Sequence, residues 1–563
     1  MASFLTDHKA AICIDGKQGT IGHVVNGIPQ GSPISPILTA DLLEQFQPKP
    51  ASQVKLKPDK STDVHLLMYV DDGKLYVSSE SLETNVIHLK EAYNKAKKWL
   101  KDAGLSPDYA KRELMHYTRR KSNGSPSISF EDGDGVHHIV KPKSTVRWLG
   151  VHFDQKLRFQ KHATILAARG KNTVSGLTMI ANTVRSLSQT HLRHLYLTCV
   201  SPKILYACPV WWTGHQYQIR PLERVQRRAL RLICAVFCTT PTKALEREAS
   251  ILPIKHQVNL HKKQCTIHFN KLSNTSPIIQ RLPQTWRNSE KPTAPSPLQP
   301  KLYNNSATDH ARTTKLLELT KHTCHSHERI DPYLTAPWHR TKHSFTGHIQ
   351  ISTCKPETKD EKEKQEIIDS HKKQVQKLEE KEESLVIYSD GSMVRRKGFP
   401  QVSAAVVGYH KGIEVFSKKM GMGGRAKVYD AEMAGLMLGA KLASTFIKNH
   451  PEVTKIHYFI DNSAAAGAIF DPKPQLGQLY TAKFHQRMAQ FLDDNTTHAI
   501  EINWCPSHCK IKGNDRADEL AKEAMQMAWN TPIGTSRAFA LHRAKATTQT
   551  AWIRDWQRTP KKG

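Results

Sequence analysis

The stretch that decides the fold of the C-terminal part is Leu385-Val386-Ile387-Tyr388-Ser389-Asp390-Gly391-Ser392. Its apolar run predicts a short β-strand, and the Asp-Gly-Ser sequence that follows predicts a loop in which this strand ends. A second apolar run, Lys455–Ile460, is followed in the same way by Asp461. If the two strands are neighbours in one sheet, the side chains of Asp390 and Asp461 emerge side by side.

The segments around these two strands complete an α/β pattern. Val428–Phe446 has helical periodicity and carries Glu432 in its first turns. Gly513–Met527 predicts an amphipathic helix that carries Asp518. Further strands are predicted at Val402–Tyr409, Gly412–Ser417 and Ile500–Trp504. The predicted order is therefore three strands, a helix, a strand, helices, a strand and a helix.

Four acidic residues in this module, Asp390, Glu432, Asp461 and Asp518, point to metal chemistry. A single acid at a strand end is often no more than the cap of the next helix or turn. Four of them, with His508 close by in sequence, can hold two divalent metal ions about 3.5–4 Å apart. Such a pair of ions activates a water molecule and stabilises the leaving oxygen in phosphodiester hydrolysis.

Residues 384 to 528 resemble type 1 ribonuclease H over the whole of that domain. The resemblance is carried by Tyr388–Ser392, Ala431–Met433, Ile460–Ser463, Trp504–His508 and Gly513–Ala521. It implies that Asp390 and Asp461 bind metal directly, that Glu432 and Asp518 each complete one metal site, and that His508 assists proton movement or product release.

Two positions need comment against that family pattern. The fourth carboxylate is assigned to Asp518 because it follows His508 by ten residues, as the family pattern asks, whereas Asp515 matches an accessory acidic position. Ser507 is a departure, since glycine often precedes the histidine in this family.

The same resemblance implies a cofactor and a substrate. Two Mg²⁺ ions, for which Mn²⁺ can substitute, would support endonucleolytic cleavage of the RNA strand of RNA–DNA hybrids, leaving a 3′-hydroxyl and a 5′-phosphate. Ser392, Asn462 and Asn514 are candidates to contact the sugars and phosphates of the hybrid.

The N-terminal part carries a different pair of acids. Tyr69-Val70-Asp71-Asp72 lies between two apolar runs and predicts a hairpin with both carboxylates at its tip, although two aspartates in a turn are also ordinary turn chemistry. With Gly27-Ile28-Pro29-Gln30-Gly31 upstream, and Lys111–Leu114 and Arg147–Val151 downstream, this part resembles the reverse transcriptases of non-LTR retrotransposons.

That second family needs another catalytic aspartate and a fingers region before Gly27, and only 26 residues precede it. Asp15 lies so close to Gly27 that it matches the hairpin that precedes this segment in the family, and it does not match the position of the missing catalytic aspartate. The expectation is therefore an N-terminally truncated polyprotein in which Asp71 and Asp72 are a vestigial polymerase site.

The charge of the chain indicates a polyanionic partner. Lys and Arg number 82 against 51 Asp and Glu, a formal net charge of +31. Residues 141 to 350 hold 32 of these bases and only 9 acids, so most of the excess lies in the middle of the chain. Nucleic acid is the simplest partner for such a charge, and the basic middle region is expected to follow phosphates.

Other features of the sequence exclude several classes of protein. No stretch approaches the ~20 consecutive apolar residues of a membrane span, and the N-terminus lacks the pattern of a secretory signal. The ten cysteines form no Cys-x-x-Cys pair, which favours free thiols in a reducing compartment. We therefore expect an intracellular protein, nuclear or cytoplasmic, with no membrane partner and no small-molecule substrate beyond the dNTPs of a complete polymerase.

Together these patterns predict a multidomain α/β and α+β protein. The C-terminal domain would have the ribonuclease H fold, a mixed five-stranded sheet with helices. The predicted parts are a partial reverse-transcriptase palm at 1–155, a helical basic thumb or connection region at 156–284, a polar and charged linker at 285–383, the ribonuclease H domain at 384–528, and a basic tail at 529–563.

Three functions remain open at this point. The first is metal-dependent cleavage of RNA–DNA hybrids by the C-terminal domain. The second is RNA-directed DNA polymerisation, which the missing aspartate and fingers make doubtful. The third is a non-catalytic relic that binds nucleic acid through its basic middle region.

Overall fold

The structure is a computed structural model in which two compact units, 1–165 and 166–563, are described separately. It describes residues 8–11, 13–14, 17–24, 64–69, 72–79, 81–102, 107–118, 124–131, 135–181, 187–272, 276, 328–331, 349–352, 361–396, 399–469, 475–506, 509–527 and 534–558.

Within its described residues, the N-terminal unit consists of two-stranded antiparallel sheets and one long helix. The strands are β1 (His8–Ala10), β2 (Cys13–Ile14), β3 (Lys17–Gln18), β4 (Gly22–Val24), β5 (His65–Tyr69), β6 (Asp72–Tyr76), β7 (Ile128–Glu131), β8 (His137–Val140), β9 (Thr145–Trp148) and β10 (Val151–Asp154), and the helix is α1 (Leu82–Asp102). The pairs are β1 with β4, β2 with β3, β5 with β6, β7 with β8 and β9 with β10.

One of these pairs, β5 with β6, confirms a hairpin that the sequence predicts. β5 and β6 pair antiparallel from His65 opposite Tyr76 to Tyr69 opposite Asp72. β9 and β10 are joined by Leu149 and Gly150, which both have positive φ angles of 45° and 77°. Two such residues form the tight turn whose twist suits a β-hairpin.

A series of helices follows β10. They are α2 (Gln160–Ile180), α3 (Gln189–Leu195), α4 (Ser201–Ile204), α5 (Cys208–Trp211), α6 (Gln216–Cys234), α7 (Thr242–Glu248) and α8 (Ile254–Asn270). The helical nature of the basic middle region is therefore as predicted. None of the described helices combines the length and the apolar composition that a membrane-spanning helix requires.

The C-terminal part contains a mixed sheet. Its strands are β11 (Ile349–Ser352), β12 (Ser384–Arg396), β13 (Phe399–His410), β14 (Ile413–Gly423), β15 (Lys455–Ile460) and β16 (Ala499–Trp504). They are arranged in the order β11-β16-β15-β12-β13-β14. β12 pairs antiparallel with β13 and parallel with β15, and β16 is parallel to β15. The five strands of the predicted domain and their mixed pairing are confirmed.

Helices cover both faces of this sheet. The helices of this part are α9 (Glu361–Glu379), α10 (Val428–Ile447), α11 (Ser463–Ile469), α12 (Gln478–Asp494), α13 (Lys512–Ala524) and α14 (Arg537–Gln557). Those that pack on the strands are α9, α10, α11 and α13. In the central strand, Leu385 and Ile387 pack in the core shared with α10 and α12, while Val386 and Tyr388 pack in the core shared with α13. Because β12 is buried on both faces, its sequence is a continuous apolar run rather than an alternating one.

Two regions outside the predicted domain also contribute ordered elements. β11, which lies in the predicted linker, adds a sixth strand parallel to β16. α14, which lies in the predicted basic tail, packs against α8 through Ile267, Ala540 and Ala544. The boundaries of the five predicted parts stay a prediction. The composition of residues 355–383 allowed a charged linker or a charged helix, and α9 is that helix, whereas the composition did not indicate β11 or α14.

A buried glutamate joins these outlying segments to the helices of the C-terminal part. The Glu328 carboxylate accepts hydrogen bonds from the backbone N–H of Gly477 at 2.7 Å and of Arg537 at 2.8 Å. Gly477 immediately precedes α12 and Arg537 begins α14. Burial raises the pKa of Glu328, and these two hydrogen bonds act against that rise. One carboxylate therefore accepts backbone N–H groups at the N-termini of two helices.

Candidate metal centre

The register of the two central parallel strands places Asp390 beside Asp461. The parallel ladder of β12 and β15 ends with Tyr388 opposite Phe459. Asp390 and Asp461 each lie two residues beyond that last pair, and neighbouring strands run about 4.8 Å apart. The predicted juxtaposition of the two aspartates is therefore confirmed.

The path of the backbone at Asp390 differs from the prediction. We expected the strand to end there in a loop, but β12 continues to Arg396 because its other edge stays paired with β13, with Asp390 opposite Ala405. Only the parallel partner β15 ends at this level. The expectation of a loop was wrong, because a single apolar run does not reveal that one edge of a strand stays paired after the other is free.

A close approach of helix to strand brings Glu432 to the same place. A Cβ atom on Gly391 would lie 2.7 Å from the backbone nitrogen of Glu432 and 2.9 Å from the Cβ of Ala431. Only glycine fits against α10 at this distance. The first turns of α10 therefore lie directly on β12, next to Asp390.

Asp390, Glu432 and Asp461, which we call the carboxylate cluster, each offer an oxygen within 4.8 Å of those of the other two. Asp390 and Glu432 are buried, and Asp461 is half-buried. Burial, and then the negative charges of Asp390 and Asp461, raise the pKa of Glu432 well above its usual range, against a hydrogen bond from the Gly391 N–H. Three carboxylates held this close together repel one another unless a cation lies between them.

The carboxylate cluster fits a divalent metal ion. Glu432 Oε2 is buried and has no hydrogen-bond partner in the described part of the protein. A buried oxygen of this kind is costly to leave unpaired, and a bound cation would satisfy it. Carboxylate oxygens are the ligands that Mg²⁺ and Mn²⁺ prefer. These three residues can therefore hold the predicted metal.

Asp518 is not a member of the carboxylate cluster in this structure. Its Oδ2 accepts a hydrogen bond of 2.6 Å from Lys522, one helical turn further along α13. The bond and charge of Asp518, followed by the charges of Asp390 and Asp515, raise the pKa of Lys522. Lys522 is therefore close enough to the carboxylate cluster for the charge of Asp390 to act on it. The spacing of four residues could have revealed this pair from the sequence.

The other predicted residues of this domain have varied surroundings. His508 lies outside the described residues. Asn462 Oδ1 accepts the backbone N–H groups of Ala464 and Ala465, both at 3.1 Å, and so caps α11. Asn514 is buried, and its Oδ1 has no hydrogen-bond partner among the residues that the structure describes; Ser392 is half-buried. The roles proposed for these four residues stay predictions.

The predicted polymerase residues lie in the N-terminal unit. Asp72 begins β6 at the tip of the β5–β6 hairpin and is exposed. Asp71, Asp15 and the Gly27–Gly31 segment lie outside the described residues. The structure therefore bears only on the hairpin and on the position of Asp72 within it.

Comparison with known proteins bears on the N-terminal part first. Residues 1–153 match the family described as reverse transcriptase (RNA-dependent DNA polymerase). The RNA-directed DNA polymerase from mobile element jockey of Drosophila melanogaster is 20% identical over 290 residues, which cover 50% of this chain and 31% of that protein.

Two further relatives come from mobile elements. A probable RNA-directed DNA polymerase from transposon BS of Drosophila melanogaster is 25% identical over 46% of this chain and 28% of its own length. A Pol polyprotein from a type-1 retrotransposable element R1 of Nasonia vitripennis is 29% identical over 24% of this chain and 32% of its own. The chain matches about a third of the length of these relatives. They support the predicted resemblance to non-LTR retrotransposon proteins.

Among solved structures, ribonuclease H1 of Halobacterium salinarum is 21% identical to this chain. The match covers 26% of this chain and 99% of the ribonuclease H1 chain, with a TM-score of 0.20. LC11-RNase H1, isolated from compost, is 19% identical; the match covers 25% of this chain and 96% of the LC11-RNase H1 chain, with a TM-score of 0.21.

Proposed function

Given that this chain is related to the reverse transcriptases of non-LTR retrotransposons, we propose that its C-terminal domain cleaves the RNA strand of RNA–DNA hybrids. The observation that carries this proposal is the carboxylate cluster, whose three acids meet at the end of the parallel ladder within 4.8 Å. These acids were predicted from the sequence by the residue pattern of type 1 ribonuclease H. The relatives of this chain are RNA-directed DNA polymerases, and such relatives are consistent with a nucleic-acid substrate.

In this proposal each residue of the predicted site has a defined role. Asp390 and Asp461 would bind the metal ions, Glu432 would complete one site, and Asp518, which accepts a hydrogen bond from Lys522 here, would complete the other. The bound Mg²⁺ ions would supply an activated water molecule and charge stabilisation at the phosphate. His508 would move a proton at the leaving side of the reaction.

A panel of nucleic acids tests the proposed substrate class. The purified chain is expected to cut the RNA of an RNA–DNA hybrid in the presence of Mg²⁺ and to leave single-stranded RNA, double-stranded RNA and double-stranded DNA of the same sequence intact. Chelation of the metal should stop the reaction. Equal cleavage of single-stranded RNA, or hybrid cleavage in the presence of chelator, would contradict the proposal.

The arginine face of α6 is the best candidate to hold the nucleic acid. Its members Arg220, Arg224, Arg227 and Arg228 are all exposed. With 3.6 residues per turn they fall within an arc of about 100° over roughly 12 Å of helix. The opposite side of α6 is buried in the helical region through residues such as Leu222, Val225 and Ala229. A row of guanidinium groups of this kind suits successive phosphates.

Neutralising this face should weaken binding without regard to sequence. A variant with Arg224→Gln, Arg227→Gln and Arg228→Gln is expected to bind hybrid more weakly, and the slope of log affinity against log salt should fall by about one for each arginine that contacts a phosphate. Fluorescence anisotropy at several salt concentrations measures both quantities.

The matched control removes the same charge from another helix. Lys372, Lys373 and Lys377 are exposed on α9, whose own acidic residues balance them, and their replacement by glutamine should leave the slope unchanged. An equal loss of affinity in both triple variants would show that net charge alone acts, and would contradict a specific role for the arginine face.

RNA-directed DNA polymerisation is the second candidate function. The match of residues 1–153 to the reverse transcriptase family favours it, as does the hairpin that presents Asp72 at its tip. Primer extension on an RNA template by the purified chain, lost in Asp71→Asn, would support this function. Extension that is undetectable, or equal in Asp71→Asn, would reject it for this chain.

A further inference from the structure

A second group of potential metal ligands lies at the other end of the sheet. We propose that His410, His450 and Glu452, the histidine cluster, bind a transition-metal ion such as Zn²⁺. Each residue offers one ligand atom, and these atoms all lie within 4.8 Å of one another. The proposal goes beyond hybrid cleavage, since this site holds nitrogen ligands and a different class of cation.

His410 is the fixed member of the histidine cluster. It is the last residue of β13, is buried, and its Nε2 lies 2.8 Å from the backbone carbonyl oxygen of Glu382. A carbonyl can only accept, so Nε2 carries the proton, and in the neutral ring Nδ1 keeps its lone pair. Metal-binding histidines commonly donate their other N–H to a backbone carbonyl, which fixes the tautomer and the orientation of the ring.

His450 and Glu452 are the adaptable members. His450 Nδ1 lies 2.9 Å from Glu452 Oε1, and each side chain is 41% exposed. The His450 ring stacks on Phe446 with ring centres 4.1 Å apart and an angle of 18° between the planes. Phe446 also meets His410 edge to face at 5.6 Å. One aromatic ring therefore orients both imidazoles, while the exposed atoms can move to the ~2.0–2.2 Å bond lengths of zinc.

Glu382 orients His410 through its backbone carbonyl, and its side chain has a different partner. The exposed carboxylate of Glu382 forms an ion pair with Lys411. The bond and charge of Lys411 lower the pKa of Glu382, and the nearby charge of Glu452 opposes this. A water molecule can complete a tetrahedral set around an ion held by the histidine cluster.

The type of ligand separates this site from the carboxylate cluster. Two imidazoles and a carboxylate select zinc, nickel, copper or cobalt over Mg²⁺. The register also keeps the two sites apart, because Leu385 lies opposite His410 whereas Asp390 lies opposite Ala405. Five residues of strand correspond to about 17 Å. An ion at the histidine cluster would therefore tie the end of β13 to the turn after α10 without taking part in catalysis.

Calorimetric titration of Zn²⁺ into the full chain tests the proposal. All samples carry Asp390→Asn, so that the carboxylate cluster does not contribute a competing site. The Asp390→Asn chain, the parent of this series, is expected to bind Zn²⁺, and its melting temperature should rise when it does. Adding His450→Ala or Glu452→Gln should weaken Zn²⁺ binding at least about tenfold. Co²⁺ in place of Zn²⁺ should give the visible absorption of a tetrahedral site only in the parent.

The control is another histidine–glutamate pair on a helix surface. His88 Nδ1 of α1 lies 3.8 Å from Glu91 Oε2, and His88→Ala should leave Zn²⁺ affinity unchanged. Because His450 is partly exposed, its replacement should not unfold the chain, which circular dichroism verifies. Equal Zn²⁺ affinity in the parent, His450→Ala and Glu452→Gln would overturn the proposal, as would a parent that binds no Zn²⁺.

Discussion

Replacement of Asp390 by asparagine is expected to abolish hybrid cleavage and to make the metal-free protein more stable. Cleavage should fall by roughly a thousandfold or more, as for other residues that act directly in a catalytic unit. Stability should rise because Asp390 is buried beside two other carboxylates with oxygens within 4.8 Å. Removing one negative charge from such a group relieves repulsion when no cation is bound.

These two effects are measured on the same samples. Single-turnover cleavage of a hybrid gives the loss of activity, and thermal unfolding in chelator gives the gain in melting temperature. Addition of Mg²⁺ should then raise the melting temperature of the parent more than that of Asp390→Asn. Asp494→Asn, at the exposed end of α12, is the control and should change neither property. A metal-free Asp390→Asn protein less stable than its parent would contradict the repulsion argument.

Replacement of Gly391 by alanine is expected to damage both the fold and the active site. The added Cβ would lie 2.7 Å from the backbone nitrogen of Glu432, which is too close for any real contact. Because this neighbour is backbone, α10 must move away from β12. Overpacking of this kind costs about 1–3 kcal/mol of folding stability. A shift of about 1 Å in Glu432 relative to Asp390 should lower cleavage about a hundredfold.

Gly176→Ala provides the matched substitution. Gly176 is an exposed residue of α2 with nothing within 4 Å of the position of a Cβ, so alanine there should stabilise the helix by about 0.5–1 kcal/mol. Urea unfolding and single-turnover cleavage measure the two variants. If Gly391→Ala unfolds at the same urea concentration as the parent and cleaves normally, α10 is not positioned by this close approach.

Much of the C-terminal fold can be predicted because its signals are local. The apolar runs that form β12 and β15, and the periodicity of Val428–Phe446, correspond to elements that differ from the prediction mainly at their ends. Asp390 and Asp461 come together because each follows a strand at the same level of one parallel ladder. The sequence therefore placed both residues at strand ends, while their adjacency depends on the pairing of β12 with β15.

The features that sequence could not supply depend on contacts between distant residues. The extension of β12 beyond Asp390 needs the whole length of β13 as a partner. The ordered helix α14 depends on the face that α8 offers it. The histidine cluster joins residues 410 and 450, and neither stands in a recognisable motif. Such pairings follow from tertiary packing, which a local pattern does not encode.

The most direct measurement of the central claim is hybrid cleavage by the full chain as Mg²⁺ is restored to a metal-free sample. We predict that end-labelled RNA in the hybrid is cut internally, that the rate rises from zero with added Mg²⁺, and that the products end in a 3′-hydroxyl. Asp494→Asn should behave as the parent does, and Asp390→Asn should leave the RNA intact. RNA that stays intact at every Mg²⁺ concentration while the chain binds the hybrid, or equal cleavage by Asp390→Asn, would contradict the assignment.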